Sequence, residues 1–430
     1  MTDYSRRQFM KYVGAGAAAC TSLGWAPLLR ANGGAADGAK VVVVGGGFAG
    51  ATCAKYLRRV APEVSVTLVE PAALYHTCPM SNWVIAGLWQ PQAIEVNESG
   101  LKHHGVTLVR DRVSGIDASR KQVKLAGGDT LQYDRLVVAP GIEFNWGHPE
   151  GYDQAAAERM PHAWQGGPQT ELLHRQLLAM DNGGVFAIAV PRAPFRCPPG
   201  PYERASLVAD YLKAHKPRSK VLILDANDKF AKQALFEEGW KKFYPGMIQW
   251  VPVTEDGAVR RVDPKTMTLY TDVDEHKVAV ANVIPSQSAG AIALEAGLGD
   301  ASGWCPIDFR SFESRQVPNV HVIGDAALAS PMPKSASAAN SEAKICALAV
   351  ASLLRGQPVG EPSFVNTCYS LVAPDYAISI NDIFRLTNGV PHLVEGSGGT
   401  SPLNASAAFR AKEALYDEGW YASIVADSFT

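Results

Sequence analysis

Val41-Val42-Val43-Val44-Gly45-Gly46-Gly47-Phe48-Ala49-Gly50 decides the fold. Four consecutive valines fit a strand buried on both faces, as in a parallel sheet. The glycines match Gly-x-Gly-x-x-Gly at Gly45, Gly47 and Gly50, and Ala51 to Leu57 fits a helix. Strand, tight turn and helix N-terminus together cradle a pyrophosphate. The glycines let phosphate approach the backbone, and the helix end offers unpaired N–H groups. Val64 to Val69 supplies a second strand. Glu70 follows about 20 residues past the last glycine, where a carboxylate takes ribose hydroxyls. The implied ligand is an adenine dinucleotide, FAD or NAD.

The chain has 430 residues, enough for two or three domains. It is 47% apolar and 19% charged, which suits a globular protein with a large core. A net charge of -2 excludes an extended nucleic-acid surface. No run of 18 apolar residues occurs, so no membrane span is expected. Ser5-Arg6-Arg7-Gln8-Phe9-Met10-Lys11 is a twin-arginine motif, followed by an apolar stretch and a Gly/Ala-rich linker. That order predicts an export signal over 1–36 and a periplasmic protein.

Two later signals choose between the dinucleotides. Tyr133 to Gly141 is an apolar strand running into Ala-x-Gly, which closes the first half of an FAD domain in flavoproteins with two dinucleotide domains. Val320 to Ala326 delivers Asp325 after Gly324 to a helix start, where its carboxylate can bind ribityl hydroxyls. Lys334 marks the start of a helix over 335–354, whose positive end would face a reduced flavin. Between these signals, the strand Gly184 to Val190 leads into Pro191-Arg192-Ala193-Pro194-Phe195-Arg196-Cys197-Pro198-Pro199-Gly200-Pro201. Proline has no N–H for a phosphate. The second nucleotide scaffold therefore lacks a nicotinamide cradle, and the cofactor is read as FAD.

The expected class is α/β, with two Rossmann-like dinucleotide-binding domains in the manner of glutathione reductase and a small C-terminal α+β domain. Residues 37–150 and 286–356 form the two parts of the FAD domain. Residues 151–285 form the second nucleotide-type domain without an NAD loop, and residues 357–430 cover the flavin. A hairpin is predicted over 123–136, a helix from Glu203 and strands over 364–380.

Of seven cysteines, Cys20 falls in the signal, and Cys53 and Cys346 fit buried thiols on helices. Cys78, Cys197, Cys305 and Cys368 remain, and spacing alone cannot pair them. No Cys-x-x-Cys-His and no zinc spacing occurs, so neither attached haem nor a metal site is expected.

Tyr75-His76-Thr77-Cys78-Pro79-Met80-Ser81-Asn82, the segment Phe195 to Arg204 and Asn366-Thr367-Cys368-Tyr369 resemble the flavoprotein subunit of flavocytochrome c sulfide dehydrogenase. Met332-Pro333-Lys334-Ser335, the glycine loop and Gly324-Asp325 fit the same family. The resemblance implies a thioether from Cys78 to the flavin, a redox-active Cys197–Cys368 disulfide, and electron transfer to a c-type cytochrome subunit that carries the haem. Hydrosulfide would open the disulfide to a persulfide and a thiolate, with Glu203 as proton acceptor. Cys305 receives no role. The alternatives are a sulfide:quinone oxidoreductase, an NADH-dependent disulfide reductase and an FAD-stabilised binding subunit. The first needs an apolar C-terminal edge, and the charges Lys412, Glu413, Asp417 and Glu418 in 411–426 argue against one.

Overall fold

The computed structural model describes residues 37–430, so the twin-arginine motif and most of its linker lie outside the described residues. From the N-terminal end, β1 (Lys40–Val44) turns through the glycines into α1 (Phe48–Val60). There follow β2 (Ser65–Val69), the short helix α2 (Ser81–Ile85), β3 (Thr107–Val109) and β4 (Arg135–Val138). All four valines of β1 are buried, because neighbours flank the strand on both sides. Val43 lies opposite Leu68 of β2 and Val137 of β4, in parallel register.

The predicted hairpin forms from Gln122–Leu125 and Thr130–Gln132 around Gly127 and Gly128. It ends before Leu136, however. Leu136, Val137 and Val138 pair with Val42, Val43 and Val44 instead, which buries their apolar side chains in the main sheet.

A second parallel sheet carries β5 (Val185–Val190), α3 (Gly200–His215), β6 (Lys220–Asp225), α4 (Gln233–Phe243), β7 (Ile248–Val251) and β8 (Val280–Val283), with strand order β7-β6-β5-β8. The helix α3 begins at Gly200, before the expected Glu203. Pro201 is tolerated there because first-turn N–H groups lack intrahelical partners. The chain then returns to the first sheet through β9 (Val320–Val322), which pairs with β4 and gives the order β9-β4-β1-β2-β3.

Next comes α5 (Ala336–Leu354), packed on α1 and capped by the Ser335 hydroxyl, which accepts from the Ala338 N–H at 3.0 Å. Two long antiparallel strands, β10 (Ser363–Ala373) and β11 (Tyr376–Thr387), and the terminal helix α6 (Ala407–Phe429) complete the chain. Arg410, Glu413, Asp417, Tyr421, Ile424 and Ser428 form the buried stripe of α6, at the three-and-four spacing of one helix face. Glu413 and Asp417 are thus turned inward. Among the described residues no helix is long and apolar enough to cross a membrane.

One buried side chain ties the layers together. Arg204 on α3 is 1% exposed. Its Nε donates to Asn82 Oδ1 of α2 at 3.0 Å. Its Nη1 donates to Asn282 Oδ1 of β8 at 2.7 Å and to the His162 carbonyl at 3.2 Å, and its Nη2 to the Ala163 carbonyl at 2.7 Å. The guanidinium also lies 5.0 Å from the Trp164 ring centroid. Replacing Arg204 with Met should lower unfolding stability by about 3 kcal/mol in a urea titration, since each orphaned buried acceptor costs about 1–3 kcal/mol. A loss below about 1 kcal/mol would contradict this bridging role.

Candidate active site

The first sheet ends in a cavity of 370 Å³ bordered by the glycine loop, by Gly141 and Asp325, and by Cys78, Cys197 and Cys368. Its loop end has the shape that a dinucleotide requires. Gly45 adopts φ +98°, and a Cβ there would meet the Ala139 carbonyl oxygen at 2.3 Å. At Gly50 a Cβ would lie 1.8 Å from the Gly45 carbonyl oxygen, so only glycine lets α1 approach β1 this closely. Gly47 is the N-cap residue of α1 and has no side-chain cap, which leaves that helix end open toward the cavity. Glu70 sits at the end of β2. Its carboxylate accepts from the Gly46 N–H at 2.8 Å and from the Ala72 N–H at 2.9 Å. Two oxygens with two lone pairs each leave room for ribose hydroxyls. These residues fit an adenine dinucleotide.

The turn after β9 lies against the same cavity. Gly324 has φ +71°, and its N–H donates to Glu342 Oε2 of α5 at 2.8 Å. Burial pushes the Glu342 carboxyl up to about 8. Asp325 lines the cavity, and burial raises its pKa against the pull of Arg196 and Lys334. Lys334 departs from expectation. Its ammonium is not part of the cavity wall. It donates to the Asp325 and Ala327 carbonyls at 2.7 and 2.9 Å and lies 3.6 Å from the Trp304 ring centroid. Those carbonyls draw the side chain under the turn, so Lys334 shapes the Asp325 loop from behind.

Three cysteines gather at the other end of the cavity. Cys78 precedes α2, and its carbonyl accepts from the Ser81 hydroxyl at 2.7 Å. Cys197 sits at φ +57° in the proline-rich turn, and its N–H donates to the Lys334 carbonyl at 2.8 Å. Cys368 lies on β10 opposite Ile380. All six described cysteines are free thiols. The Cys197 thiol donates to Cys78, which lowers Cys78 to about 7 and raises Cys197 well above its ordinary range. Arg196 and Arg204 add positive charge beside Cys78. Sequence resemblance pairs Cys197 with Cys368, whereas the hydrogen-bond partner of the Cys197 thiol is Cys78, with Cys368 also close enough to raise its pKa.

Glu203 lies one position before Arg204. Its Oε2 accepts from Asn82 Nδ2 at 3.0 Å and its Oε1 from the Leu371 N–H at 3.1 Å. Burial raises its pKa. Several groups near the sulfurs were not foreseen. Arg196 and Arg204 stand inside the segment that drew attention, but a charge beside proline gives no sign of its direction. Asp417 shares a face with Glu413 and Tyr421 at four-residue spacing, and that spacing was the available signal. Lys232 precedes α4 with φ +62°, and its Nζ donates to Ser370 Oγ at 2.8 Å and to the Cys368 carbonyl at 3.3 Å.

The corresponding end of the second sheet is filled by protein. Asp225 closes β6, where a second ribose would need a carboxylate. It is fully buried, and its Oδ2 accepts from Tyr202 at 2.6 Å and Trp250 Nε1 at 2.9 Å. The Tyr202 ring stacks on Phe230 at 3.7 Å. The loop after β5 meanwhile carries Arg196 and Cys197 to the first cavity. Cys53 and Cys346 are buried, with their thiols in hydrogen-bonding contact. Cys305 is also buried, and burial pushes its thiol up to about 12. Among the described residues, no three His, Cys, Asp or Glu side chains cluster as a metal site.

Comparison with known proteins follows this division. The family described as sulfide dehydrogenase (flavocytochrome c) flavoprotein chain, central, matches residues 170–285. Flavocytochrome c sulphide dehydrogenase, flavin-binding, matches residues 360–429, and pyridine nucleotide-disulphide oxidoreductase matches residues 39–160. The sulfide dehydrogenase flavoprotein chain of Chlorobaculum thiosulfatiphilum is 64% identical over 45 residues, which is 10% of this chain and 94% of that one. The mitochondrial sulfide:quinone oxidoreductase of Dictyostelium discoideum is 25% identical over 314 residues, or 71% of this chain and 69% of that one. The solved sulfide:quinone oxidoreductase of Aquifex aeolicus superposes with a TM-score of 0.71 at 17% identity, covering 91% of this chain and 92% of that one, and so shares the fold. With a central domain, a flavin-binding domain and a near-complete match to that short Chlorobaculum sequence, the chain belongs to the flavoprotein-chain family of flavocytochrome c sulfide dehydrogenase.

Proposed function

We propose that this chain is the flavoprotein subunit of a sulfide:cytochrome c oxidoreductase, which oxidises sulfide to zero-valent sulfur or polysulfide and passes the electrons to a c-type cytochrome subunit. The observation that carries the reading is one cavity with a dinucleotide cradle at one end and three cysteines at the other. FAD, when bound, supplies a two-electron acceptor that can release electrons singly to a haem. The backbone of Gly45, Gly47 and Gly50 would hold its pyrophosphate and Glu70 its ribose. Gly141, Gly324 and Asp325 would line the remainder, and Cys78 would bind it covalently. A thiol lowered to about 7 is about half thiolate at neutral pH, far more than an unperturbed cysteine, and the thiolate is the nucleophile.

Cys197 and Cys368 form the redox pair in this reading. Hydrosulfide attacks one sulfur, an S–S bond to substrate forms, and the bond between the two cysteines breaks with its electron pair on the other sulfur. Arg196 and Arg204 favour the approach of an anion. Glu203, fixed between Asn82 and Leu371, takes the proton lost when hydrogen sulfide enters as hydrosulfide. The twin-arginine segment supports export to the periplasm, and the haem belongs to the partner. The quinone-reductase relatives share the core chemistry, but the family matches over 170–285 and 360–429 favour the cytochrome reading.

Replacing Cys197 or Cys368 with Ser should leave FAD bound while sulfide-dependent flavin bleaching falls by on the order of 10³-fold or more. Bleaching at the wild-type rate would contradict the redox pair. A Cys78→Ala chain should release its FAD on acid precipitation, and retained flavin would contradict the thioether. In protein produced without FAD, Cys78 should alkylate with a midpoint near pH 7, its reactivity falling as pH drops through that value, and Cys197→Ala should move the midpoint upward. A wild-type midpoint no lower than the ordinary thiol value of about 8.5 would contradict the assigned charge state.

A further inference from the structure

Oxidising hydrogen sulfide to zero-valent sulfur releases two protons with its two electrons. Glu203 is one acceptor, and both its oxygens already take hydrogen bonds. A second carboxyl faces the same cavity. Asp417 projects from the inner face of α6 and is 4% exposed. Among the described residues its Oδ2 has no hydrogen-bond partner, although it is buried. A carboxyl left this way is held neutral or waits for a proton, because an unpaired buried charge is costly.

The surroundings define what Asp417 can do. From α3 it faces Glu203, from the start of α4 Lys232, and from β10 Cys368 and Tyr369, with Glu418 beside it on its own helix. Lys232 is the cation of this group, and it is bonded to Ser370 and the Cys368 carbonyl rather than to either acid. Burial and then the Glu203 charge raise the Asp417 carboxyl well above its usual range, and Lys232 opposes them. Burial raises the Cys368 thiol as well, with Lys232 opposing and Glu203 and Asp417 adding to the rise. The groups around Cys197 are Cys78, Cys368 and Glu203. Two acids and a sulfur thus share one buried cation, so a negative charge forming on that sulfur is eased by a proton moving to a carboxylate.

We propose that Asp417 is the second proton acceptor of the site and takes the S–H proton of a persulfide carried on Cys368. The step rests on the sulfide-oxidation reading above. Hydrosulfide sulfur bonds to the Cys368 sulfur, and the Cys197–Cys368 bond breaks with its electron pair on Cys197. The proton remaining on the outer sulfur then passes to Asp417 Oδ2. Loss of the outer sulfur as zero-valent sulfur, re-formation of the Cys197–Cys368 bond and passage of the two electrons left over to FAD would complete the sum of hydrogen sulfide to zero-valent sulfur, two protons and two electrons.

Asp417→Asn in the FAD-loaded full chain tests the role through two pH profiles. The acceptor must be ionised, so wild-type kcat should rise with pH along a limb that Asp417→Asn lacks. The loss at the plateau should be on the order of 10²-fold, with KM little changed. Separately, after reduction and without sulfide, Cys368 alkylation should shift to lower pH in Asp417→Asn, because a neighbouring negative charge is gone. An unchanged alkylation midpoint, or a turnover loss uniform across pH, would overturn the proposal. If Asp417→Asn does not retain flavin, Asp417→Glu carries the test: a limb with a displaced midpoint is expected, and an undisplaced limb overturns it. The alkylation profile needs no sulfide, whereas sulfide bleaching of the wild type tests the underlying reading, so the two can fail separately.

Discussion

A buried guanidinium with neutral acceptors holds this site in place. Arg204 donates to two asparagine side chains and to two consecutive carbonyls, which together belong to three separate segments, and among the described residues no carboxylate lies within ion-pair distance. Its charge is therefore solvated by the protein but not cancelled. Burial draws its pKa down to about 10, which leaves it cationic at neutral pH. The same side chain thus locks the start of α3 against the first domain and places positive charge beside Cys78 and Cys197. Glu203, one residue earlier on the same helix start, accepts from Asn82, itself bonded to Arg204. Position and electrostatics of the sulfur site follow from one hydrogen-bonded junction.

That junction also explains how a nucleotide scaffold came to serve a different end. A strand–turn–helix unit normally presents a backbone cradle at its turn. Here prolines remove the donors, Cys197 takes the turn at positive φ, and the loop reaches over the first cavity. The far side closes on itself as Tyr202 and Trp250 occupy the Asp225 carboxylate. The turn whose prolines offer no N–H to a phosphate carries a cysteine to the first cavity.

Sequence pattern revealed most of the framework. Four valines could only be a strand covered on both faces, and the glycine turn needs the clearances now seen at Gly45 and Gly50. The proline-rich turn was legible because a missing N–H is a local property. What escaped depends on direction in space. Lys334 was expected as the start of a helix whose positive end faces the flavin, and nothing in the sequence foretold that two carbonyls beneath the Asp325 turn hold its ammonium. Asp417 counted among the charges of a polar helix, although its spacing from Glu413 and Tyr421 marks a single buried face. Lys232 gave no signal, since nothing local foretells that a residue before α4 will meet β10. The hairpin after Lys121 was found, but its end was placed too late, because the partners of Leu136 to Val138 lie nearly a hundred residues earlier in the chain.

The most direct test of the account is an anaerobic sulfide titration of the FAD-loaded protein followed by visible absorbance, with NADH as the parallel reductant and cytochrome c added afterwards. The account predicts that sulfide bleaches the flavin, that NADH does not, and that haem is reduced when the cytochrome is added. Bleaching by NADH with no response to sulfide would contradict it. The turn at Cys197 and the closed pocket around Asp225 would then have been assigned the wrong chemistry.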